Sequence, residues 1–279
     1  MTTEQRALKV ENVEKFGIST YAFTQTMSGA DCLYHLADWG VRSVEMMLYP
    51  EHLWIADDDD TQQDMLEALD ETSITLTSLT VPDIDLNIAA ATEEMRAFSL
   101  EQILQFLKMA SELNAEGLIL SPGKADPMFP LPNETLESLF FESLDIILPE
   151  AEDCGVEIWM ENQPFSFLPN AAGLMDTLDR YGEDSIRICY DIANAHFIGE
   201  DTTAGLELVR ERLALVQLSD TRRAVLRHDP VGAGDVNFSR IPDALAAAGY
   251  TRPPVLEIIT GDPEKDLPHS VAALAGMGF

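Results

Sequence analysis

Basic residues are scarce in this sequence of 279 residues. It contains 17 Lys and Arg against 49 Asp and Glu, which gives a formal net charge of −32 at pH 7. Lysine occurs only at Lys9, Lys15, Lys108, Lys124 and Lys265. Binding to nucleic acid needs clustered cations that neutralise phosphates, and an anionic membrane surface makes the same demand. The composition therefore argues against both kinds of partner.

The acidic residues are spread along the chain rather than gathered in one tail. A surface this negative repels itself, and dissolved salt screens that repulsion. We interpret the composition as that of a halophilic protein, adapted to a high-salt cytoplasm. The alternative is an ordinary acidic cytosolic enzyme.

Cysteine and long apolar runs are also scarce. Cys32, Cys154 and Cys189 show no close pairing, so the chain has no disulfide framework and a reducing compartment suits it. The first 16 residues are polar and contain no apolar signal region. No apolar run approaches the roughly 20 residues of a transmembrane helix. We therefore expect a soluble cytoplasmic protein.

Short apolar runs rich in β-branched residues alternate with longer stretches of helical periodicity, which is typical of βαβ units. Eight strands are predicted, at Phe16–Thr20, Val41–Met47, Ile74–Val81, Gly117–Ser121, Val156–Glu161, Ile186–Asp191, Leu213–Ser219 and Val255–Thr260. The intervening helices are predicted at Ala30–Trp39, Thr61–Glu71, Glu93–Asn114, Glu134–Cys154, Ala171–Tyr181, Ala204–Arg212, Ser239–Ala248 and Pro263–Gly276.

Eight such units predict the α/β class and a single-domain (β/α)8 TIM barrel over residues 1–279, with a polar N-terminal extension over residues 1–14. An open doubly wound sheet is the alternative. It is weakened because the first strand-to-helix turn, Ser19–Gly29, lacks the GxGxxG pattern of dinucleotide-binding sheets.

Three carboxylates stand at or near the ends of apolar strands. Glu161 and Asp191 close the fifth and sixth predicted strands, and Glu257 lies inside the eighth. A carboxylate in an apolar strand is unfavourable unless a cation or hydrogen bonds compensate its charge. Three at equivalent positions of one barrel favour a shared divalent cation. The alternative is that arginines or backbone donors satisfy each acid separately.

Five motifs follow one another in the second half of the chain: IWMEN (Ile158–Asn162), YDIANAH (Tyr190–His196), VQLSD (Val216–Asp220), RHDPVGAGDVNF (Arg227–Phe238) and VLEI (Val255–Ile258). Their order and spacing resemble those of the xylose-isomerase-like TIM barrels, a superfamily of sugar isomerases, ketose 3-epimerases, inosose dehydratase and endonuclease IV relatives. The resemblance covers most of the chain and is best from Val156 onward. An endonuclease function is opposed by the net charge and by the missing histidine-rich zinc set.

By resemblance to the epimerase branch, the metal ligands are Glu161, Asp191, Gln217 and Glu257. Two positions depart from the pattern. Gln217 stands where the strand-seven histidine of HxxD is usual, and Asn194 stands where DxxH places a substrate-contacting histidine. An all-oxygen site favours Mn²⁺ or Mg²⁺ over Zn²⁺. The alternative is that Gln217 only forms hydrogen bonds and that three ligands and water hold the ion.

The resemblance implies a metal-dependent sugar isomerase or epimerase acting on a small polyhydroxy carbonyl substrate through an enediolate. Glu161 and Glu257 are then the catalytic proton-transfer pair, and Asp191 is mainly a ligand. A sugar or inosose dehydratase using the same site is one alternative. A non-catalytic binding barrel is another, motivated by the two missing histidines. A homo-oligomer is left open.

The residues predicted to bind substrate are Glu45, Asn194, His196, Arg223 and His228. Each has a simpler alternative. Glu45 could be a buried acid paired with arginine, Arg223 a partner of the acidic surface, and His228 a solvated loop residue. His196 is a candidate because it lies two residues beyond the missing histidine at position 194.

Overall fold

The predicted alternation of strands and helices is present in the structure, a computed structural model that describes residues 9–55 and 59–279. Residues 1–8 of the predicted polar extension lie outside the described residues. In the remainder of that extension, Val10 and Val13 are buried. The barrel strands are β1 (Gly17–Ser19), β2 (Ser43–Met47), β3 (Thr75–Thr80), β4 (Gly117–Leu120), β5 (Glu157–Glu161), β6 (Arg187–Asp191), β7 (Leu213–Leu218) and β10 (Val255–Leu256). Two further strands between β7 and β10 lie outside the barrel and are described below.

These strands pair in parallel and close in the order β1-β10-β7-β6-β5-β4-β3-β2. The predicted (β/α)8 TIM barrel is therefore confirmed. The helices are α1 (Gly29–Trp39), α2 (Asp59–Thr72), α3 (Glu93–Glu112), α4 (Asn133–Cys154), α5 (Ala171–Tyr181), α6 (Ile192–Ile198), α7 (Thr202–Val209), α8 (Ile241–Ala247) and α9 (Pro263–Ala275). Short 3₁₀ turns lie at Val13–Lys15, Thr20–Phe23 and Phe238–Arg240.

The barrel strands are apolar because both of their faces are buried: one packs against the helices and the other faces the barrel interior. All six residues of β7 are buried, for example. Parallel strands in this situation read as nearly continuous hydrophobic runs, which is why the sequence located them well. Helix ends carry ordinary local signals: Asn170 caps α5 by accepting a 2.8 Å hydrogen bond from the Gly173 amide.

Trp159 and the buried side chains around it, here called the plug, fill the barrel lumen toward the amino-terminal ends of the strands. The Trp159 indole N–H donates a 2.7 Å hydrogen bond to Glu157, and the Arg252 guanidinium lies 5.6 Å from its ring centre. The ring needs a glycine opposite, because a Cβ at Gly117 would lie 2.4 Å from it. The buried cluster at this level is formed by Ile119, Trp159, Cys189, Ala214, Leu215 and Val255.

The plug decides where the polar residues lie. Side chains two residues apart on a strand point to the same face. Residues two positions beyond the plug therefore face the lumen one layer higher, at the carboxyl ends of the strands. Those residues are Glu161, Asp191, Gln217 and Glu257, which follow Trp159, Cys189, Leu215 and Val255.

The structure departs from the predicted elements in two places. An unpredicted helix, α6, follows β6 directly. After β7 the chain forms an unpredicted antiparallel hairpin of β8 (Asp220–Arg222) and β9 (Val225–Asp229). The predicted eighth strand, Val255–Thr260, is shorter as β10. Beyond it the backbone still bonds to the barrel and the hairpin, because Glu257 N donates to Leu218 O and Ile259 N donates to His228 O.

Candidate metal centre and active site

Asp191, His228 and Glu257 bring one ligand atom each within 4.8 Å of one another. His228 Nδ1 lies 3.1 Å from Glu257 Oε2 and 4.0 Å from Asp191 Oδ2. The carboxylates come from the ends of β6 and β10, and the imidazole comes from β9. A mixed carboxylate and imidazole set of this size matches the usual donors of a divalent transition metal.

Among the residues that the structure describes, the buried oxygens Asp191 Oδ2 and Gln217 Oε1 have no hydrogen-bond donor, and the buried Glu257 Oε2 contacts the imidazole of His228. Asp191 and Gln217 are 0% exposed and Glu257 is 6% exposed. The other Asp191 oxygen accepts from the Asn194 amide at the start of α6, so Oδ2 alone is free to bind a ligand. Buried acceptors without donors are unfavourable, and a cation between them would relieve that penalty. The residues present therefore fit a divalent metal.

Gln217 contacts the carboxylate of Glu45 across the lumen. Its Nε2 lies 3.1 and 3.0 Å from the two carboxylate oxygens of Glu45, and both residues are fully buried. The sequence alternative of an arginine partner for Glu45 does not match these contacts, since Gln217 and the hydroxyls of Ser19 and Thr80 surround its carboxylate. Register places Gln217 opposite Asp191 on one side and Val255 on the other.

Two asparagines hold the acids at the ends of β5 and β6. Asn194 Nδ2 donates a 2.8 Å hydrogen bond to Oε1 of Glu161. Asn162 bonds both backbone groups of Asp191: its Nδ2 donates to Asp191 O at 2.9 Å, and its Oδ1 accepts from Asp191 N at 2.7 Å. Asn162 was not assigned a role from the sequence, although its place directly after a strand-end acid was a usable signal.

Burial and the proximity of other negative charges raise the pKa values of Glu45, Glu161 and Asp191. Burial first, then the charge of Glu257, raises the pKa of Glu45 to about 8. Burial also raises the pKa of Asp191 to about 7, with His228 opposing that rise, and the pKa of Glu161 well above its ordinary range. Burial lowers the pKa of His228, but the charges of Glu257 and Asp191 outweigh it and raise that pKa to about 9.

Asp220 anchors the hairpin that carries His228. Its carboxylate accepts hydrogen bonds from the amides of Gly232 at 2.8 Å, Val236 at 3.1 Å and Thr221 at 2.9 Å. Gly234 passes so close that a Cβ there would lie 2.2 Å from Thr221 O. The imidazole itself contacts Ser219, whose Oγ lies 3.1 Å from His228 Nδ1.

The other two predicted substrate-binding residues lie outside this cluster. His196 Nε2 pairs with Asp235 Oδ1 at 2.6 Å. Arg223 is exposed, and its guanidinium covers Gly199 at the end of α6. Their predicted contact with substrate stays a prediction.

An acid on the opposite rim was missed. Asp83 follows β3, and burial raises its pKa, with a smaller contribution from the charge of Glu257; a hydrogen bond from Ser121 and the charge of Lys124 lower it. Lys124 Nζ donates to the backbone carbonyls of Asp83 and Ile84. The position of Asp83 after an apolar strand was the same signal that identified Glu161.

Within residues 9–55 and 59–279, none of the helices combines the length and apolar character that crossing a bilayer demands.

These features define a class: a (β/α)8 barrel with an acid-rich centre at the carboxyl ends of its strands. A family model described as xylose isomerase-like TIM barrel matches residues 33–277. The chain therefore belongs to the xylose isomerase-like TIM barrel family, as its motifs predicted.

Solved structures with the same fold include a D-tagatose 3-epimerase-like protein, with a TM-score of 0.80 and 21% identity over 94% of this chain and 98% of the other. The probable 3-DHS dehydratase AsbF of Bacillus anthracis has a TM-score of 0.76 and 14% identity over 93% and 98% of the two chains.

Among curated proteins, the uncharacterized protein MJ1311 of Methanocaldococcus jannaschii is 25% identical over 176 residues, which is 61% of this chain and 59% of that protein. The match thus spans about three fifths of the relative's length.

Proposed function

We propose that the protein is a divalent-metal-dependent sugar isomerase or epimerase acting on a small polyhydroxy carbonyl compound. The observation that carries the proposal is the convergence of Asp191, His228 and Glu257 beside two buried acceptors, Asp191 Oδ2 and Gln217 Oε1, that lack hydrogen-bond donors among the described residues. Support for a sugar substrate comes from the fold, which the D-tagatose 3-epimerase-like protein shares.

Asp191, Glu257 and His228 would hold the metal, with Gln217 and Glu161, both predicted as ligands, as further oxygen donors. When bound, the ion would polarise the substrate's carbonyl and acidify the adjacent C–H. Mn²⁺ or Mg²⁺ was predicted from an all-oxygen set. The imidazole of His228 adds a nitrogen donor, which favours Mn²⁺ over Mg²⁺ because imidazole suits transition metals.

Glu161 and Glu257 would transfer the proton. Glu161 is buried, and a raised pKa makes a carboxylate a stronger base for removing a proton from carbon. Asn194 holds one oxygen of Glu161. For epimerisation, Glu161 would keep the abstracted proton and a protonated Glu257 would deliver its own proton to the same carbon on the other face. For isomerisation, the proton would be delivered to the neighbouring carbon while the hydroxyl proton passes from one enediolate oxygen to the other.

A dehydratase is the second candidate, because the fold is shared with the probable dehydratase AsbF. Both reactions begin with the same proton abstraction. In the dehydratase the resulting enediolate would expel a β-hydroxyl group as water instead of regaining a proton.

Incubation with a panel of keto-sugars, including D-tagatose, in deuterated water with Mn²⁺ tests the proposal. Carbon-bound deuterium without loss of water supports an isomerase or epimerase, whereas loss of water supports the dehydratase. Glu161→Gln and Glu257→Gln should abolish incorporation. Glu101→Gln, an exposed acid on α3, is the matched control and should leave it unchanged.

Metal analysis of the purified protein completes the test. Three results together would contradict the catalytic proposal: no divalent metal in the protein, no affinity for Mn²⁺, and no deuterium incorporation into any keto-sugar of the panel. A non-catalytic binding barrel would then be the better account.

A further inference from the structure

The amide of Gln217 has two ends in different surroundings. Its Nε2 faces both oxygens of Glu45, at 3.0 and 3.1 Å. Its Oε1 is buried and has no hydrogen-bond donor. An amide carries two N–H donors and one carbonyl acceptor, so the partner at one end decides what the other end presents.

The orientation matters because the two ends have opposite effects on a cation. A carbonyl oxygen pointed at the metal would be a ligand, whereas an NH₂ group there would repel it. When Glu45 is ionised, its carboxylate can only accept hydrogen bonds, so it selects the arrangement with the Gln217 nitrogen toward itself.

The barrel framework places Gln217 beside the strands that carry the proposed cation ligands. Gln217 is in register with Asp191 on β6 and with Val255 on β10, two residues before Glu257. Glu45 approaches from β2, on the far side of the lumen. The amide therefore lies between a carboxylate on one side and the proposed metal ligands on the other.

We infer that Glu45 is a positioning residue that fixes the Gln217 amide with its carbonyl toward the cation, so that an amide oxygen serves as a metal ligand at this strand. This inference rests on the proposed metal site. It assigns Glu45 a role toward the metal instead of the predicted contact with substrate hydroxyls. It also gives the site an oxygen donor where an imidazole would favour Zn²⁺.

The effect must be separated from simple attraction between the Glu45 charge and the cation. Glu45→Asp keeps the charge but shortens the side chain by one methylene, which withdraws the carboxylate from Nε2. Glu45→Gln removes the charge and lets either end of its own amide face Gln217. Gln217→Met removes both the carbonyl and the amide donor at similar size.

The experiment measures Mn²⁺ affinity of the chelator-treated protein by isothermal titration calorimetry and by the electron paramagnetic resonance signal of free Mn²⁺. Circular dichroism and thermal unfolding check that each variant folds. Glu45→Gln and Glu45→Asp should each raise the Kd for Mn²⁺ by about 10- to 100-fold, as losing an orienting partner does.

In the Gln217→Met background, either change at position 45 should add little. Sites that act independently multiply their effects to within about twofold. Full multiplication here, or a Glu45→Asp protein that binds Mn²⁺ like the wild type, would overturn the inference and leave a charge effect alone.

A Gln217→His variant provides a second measure. An imidazole ligand needs no amide orientation, so the Kd for Zn²⁺ should fall relative to that for Mn²⁺. An unchanged preference between the two ions would contradict a ligand role for Gln217. Failure of the wild type to bind Mn²⁺ at all would instead refute the proposed function, so the two failures are distinguishable.

Discussion

Asn194 donates a 2.8 Å hydrogen bond to Oε1 of Glu161, and both side chains are buried, Glu161 at the end of β5 and Asn194 in the first turn of α6. The bond favours the ionised carboxylate, against the burial that raises its pKa. Asn194 stands where the family pattern places a substrate-contacting histidine. The contact suggests that in this chain the position acts through Glu161.

Replacing Asn194 with Leu should therefore raise the pKa of Glu161 further. A hydrogen bond to a charged group contributes about 1.5–3 kcal/mol, equivalent to about 1–2 pH units. The ascending limb of the pH profile for solvent deuterium incorporation should move upward by that amount. An unmoved limb would show that a different group controls the rate.

Loss of the His228 imidazole should weaken the metal site directly. His228→Gln should raise the Kd for Mn²⁺ at least about tenfold, since even outer partners of metal ligands have effects of that size. His35→Gln on α1 is the matched control, because His35 pairs with Glu264 away from the cluster. Equal affinities of the two variants for Mn²⁺ would remove His228 from the ligand set.

The metal-free protein should lose stability as the pH rises. The pKa values of Glu45 and Asp191 are about 8 and about 7 in the folded state, above ordinary values of 4.5 and 3.8. Their contribution to the free energy of unfolding is fully present below about pH 4 and is lost as the pH rises through 7 and 8. His228, with a pKa of about 9, loses its contribution above its ordinary value of 6.5.

Thermal unfolding with chelator at constant salt tests this expectation. The melting temperature should fall between about pH 6 and about pH 8.5, and Mn²⁺ should restore it most at the higher pH because binding needs the ionised carboxylates. Asp191→Asn should flatten the slope. A melting temperature that rises with pH in the chelated wild type, but not in Asp191→Asn, would reverse the assigned sign.

Gly234 is a packing requirement of the hairpin. A Cβ at this position would lie 2.2 Å from Thr221 O and 2.3 Å from Asp220 Oδ1. Gly234→Ala should therefore lower the free energy of unfolding by about 1–3 kcal/mol and weaken Mn²⁺ binding through His228. Gly261→Ala is the control, because a Cβ there meets nothing within 4 Å. Similar losses in both variants, by denaturant titration, would contradict the steric argument.

The net charge of −32 predicts stabilisation by salt. Raising KCl from about 0.1 M to about 1 M shortens the screening length from about 10 Å to about 3 Å, which relieves repulsion between surface carboxylates. The melting temperature should rise, and the gain should shrink near pH 4, where those carboxylates take up protons. A gain of equal size at both pH values would point to a general salting effect and against the halophilic interpretation.

The barrel was predictable because its strands are buried on both faces and so stand out as apolar runs. Glu161, Asp191 and Glu257 were found by the same logic, since an acid is conspicuous in such a run. The hairpin carrying His228 gave no periodic pattern, because its shape depends on Asp220 gathering backbone amides from a glycine-containing loop. The Gln217 amide is oriented by Glu45, a partner 172 residues away in sequence, and no local signal encodes that contact.

Trp159 closes the barrel lumen on one side of the acidic residues, so the site opens at the carboxyl ends of the strands. A ligand that reaches Glu161 must leave by the mouth through which it entered. In the proposed reaction, a proton that Glu161 takes from the substrate would exchange slowly with bulk solvent and could return to the same molecule. Incomplete labelling from deuterated water in each turnover would be the signature of that internal return, and opening the lumen at Trp159 should increase exchange with the solvent.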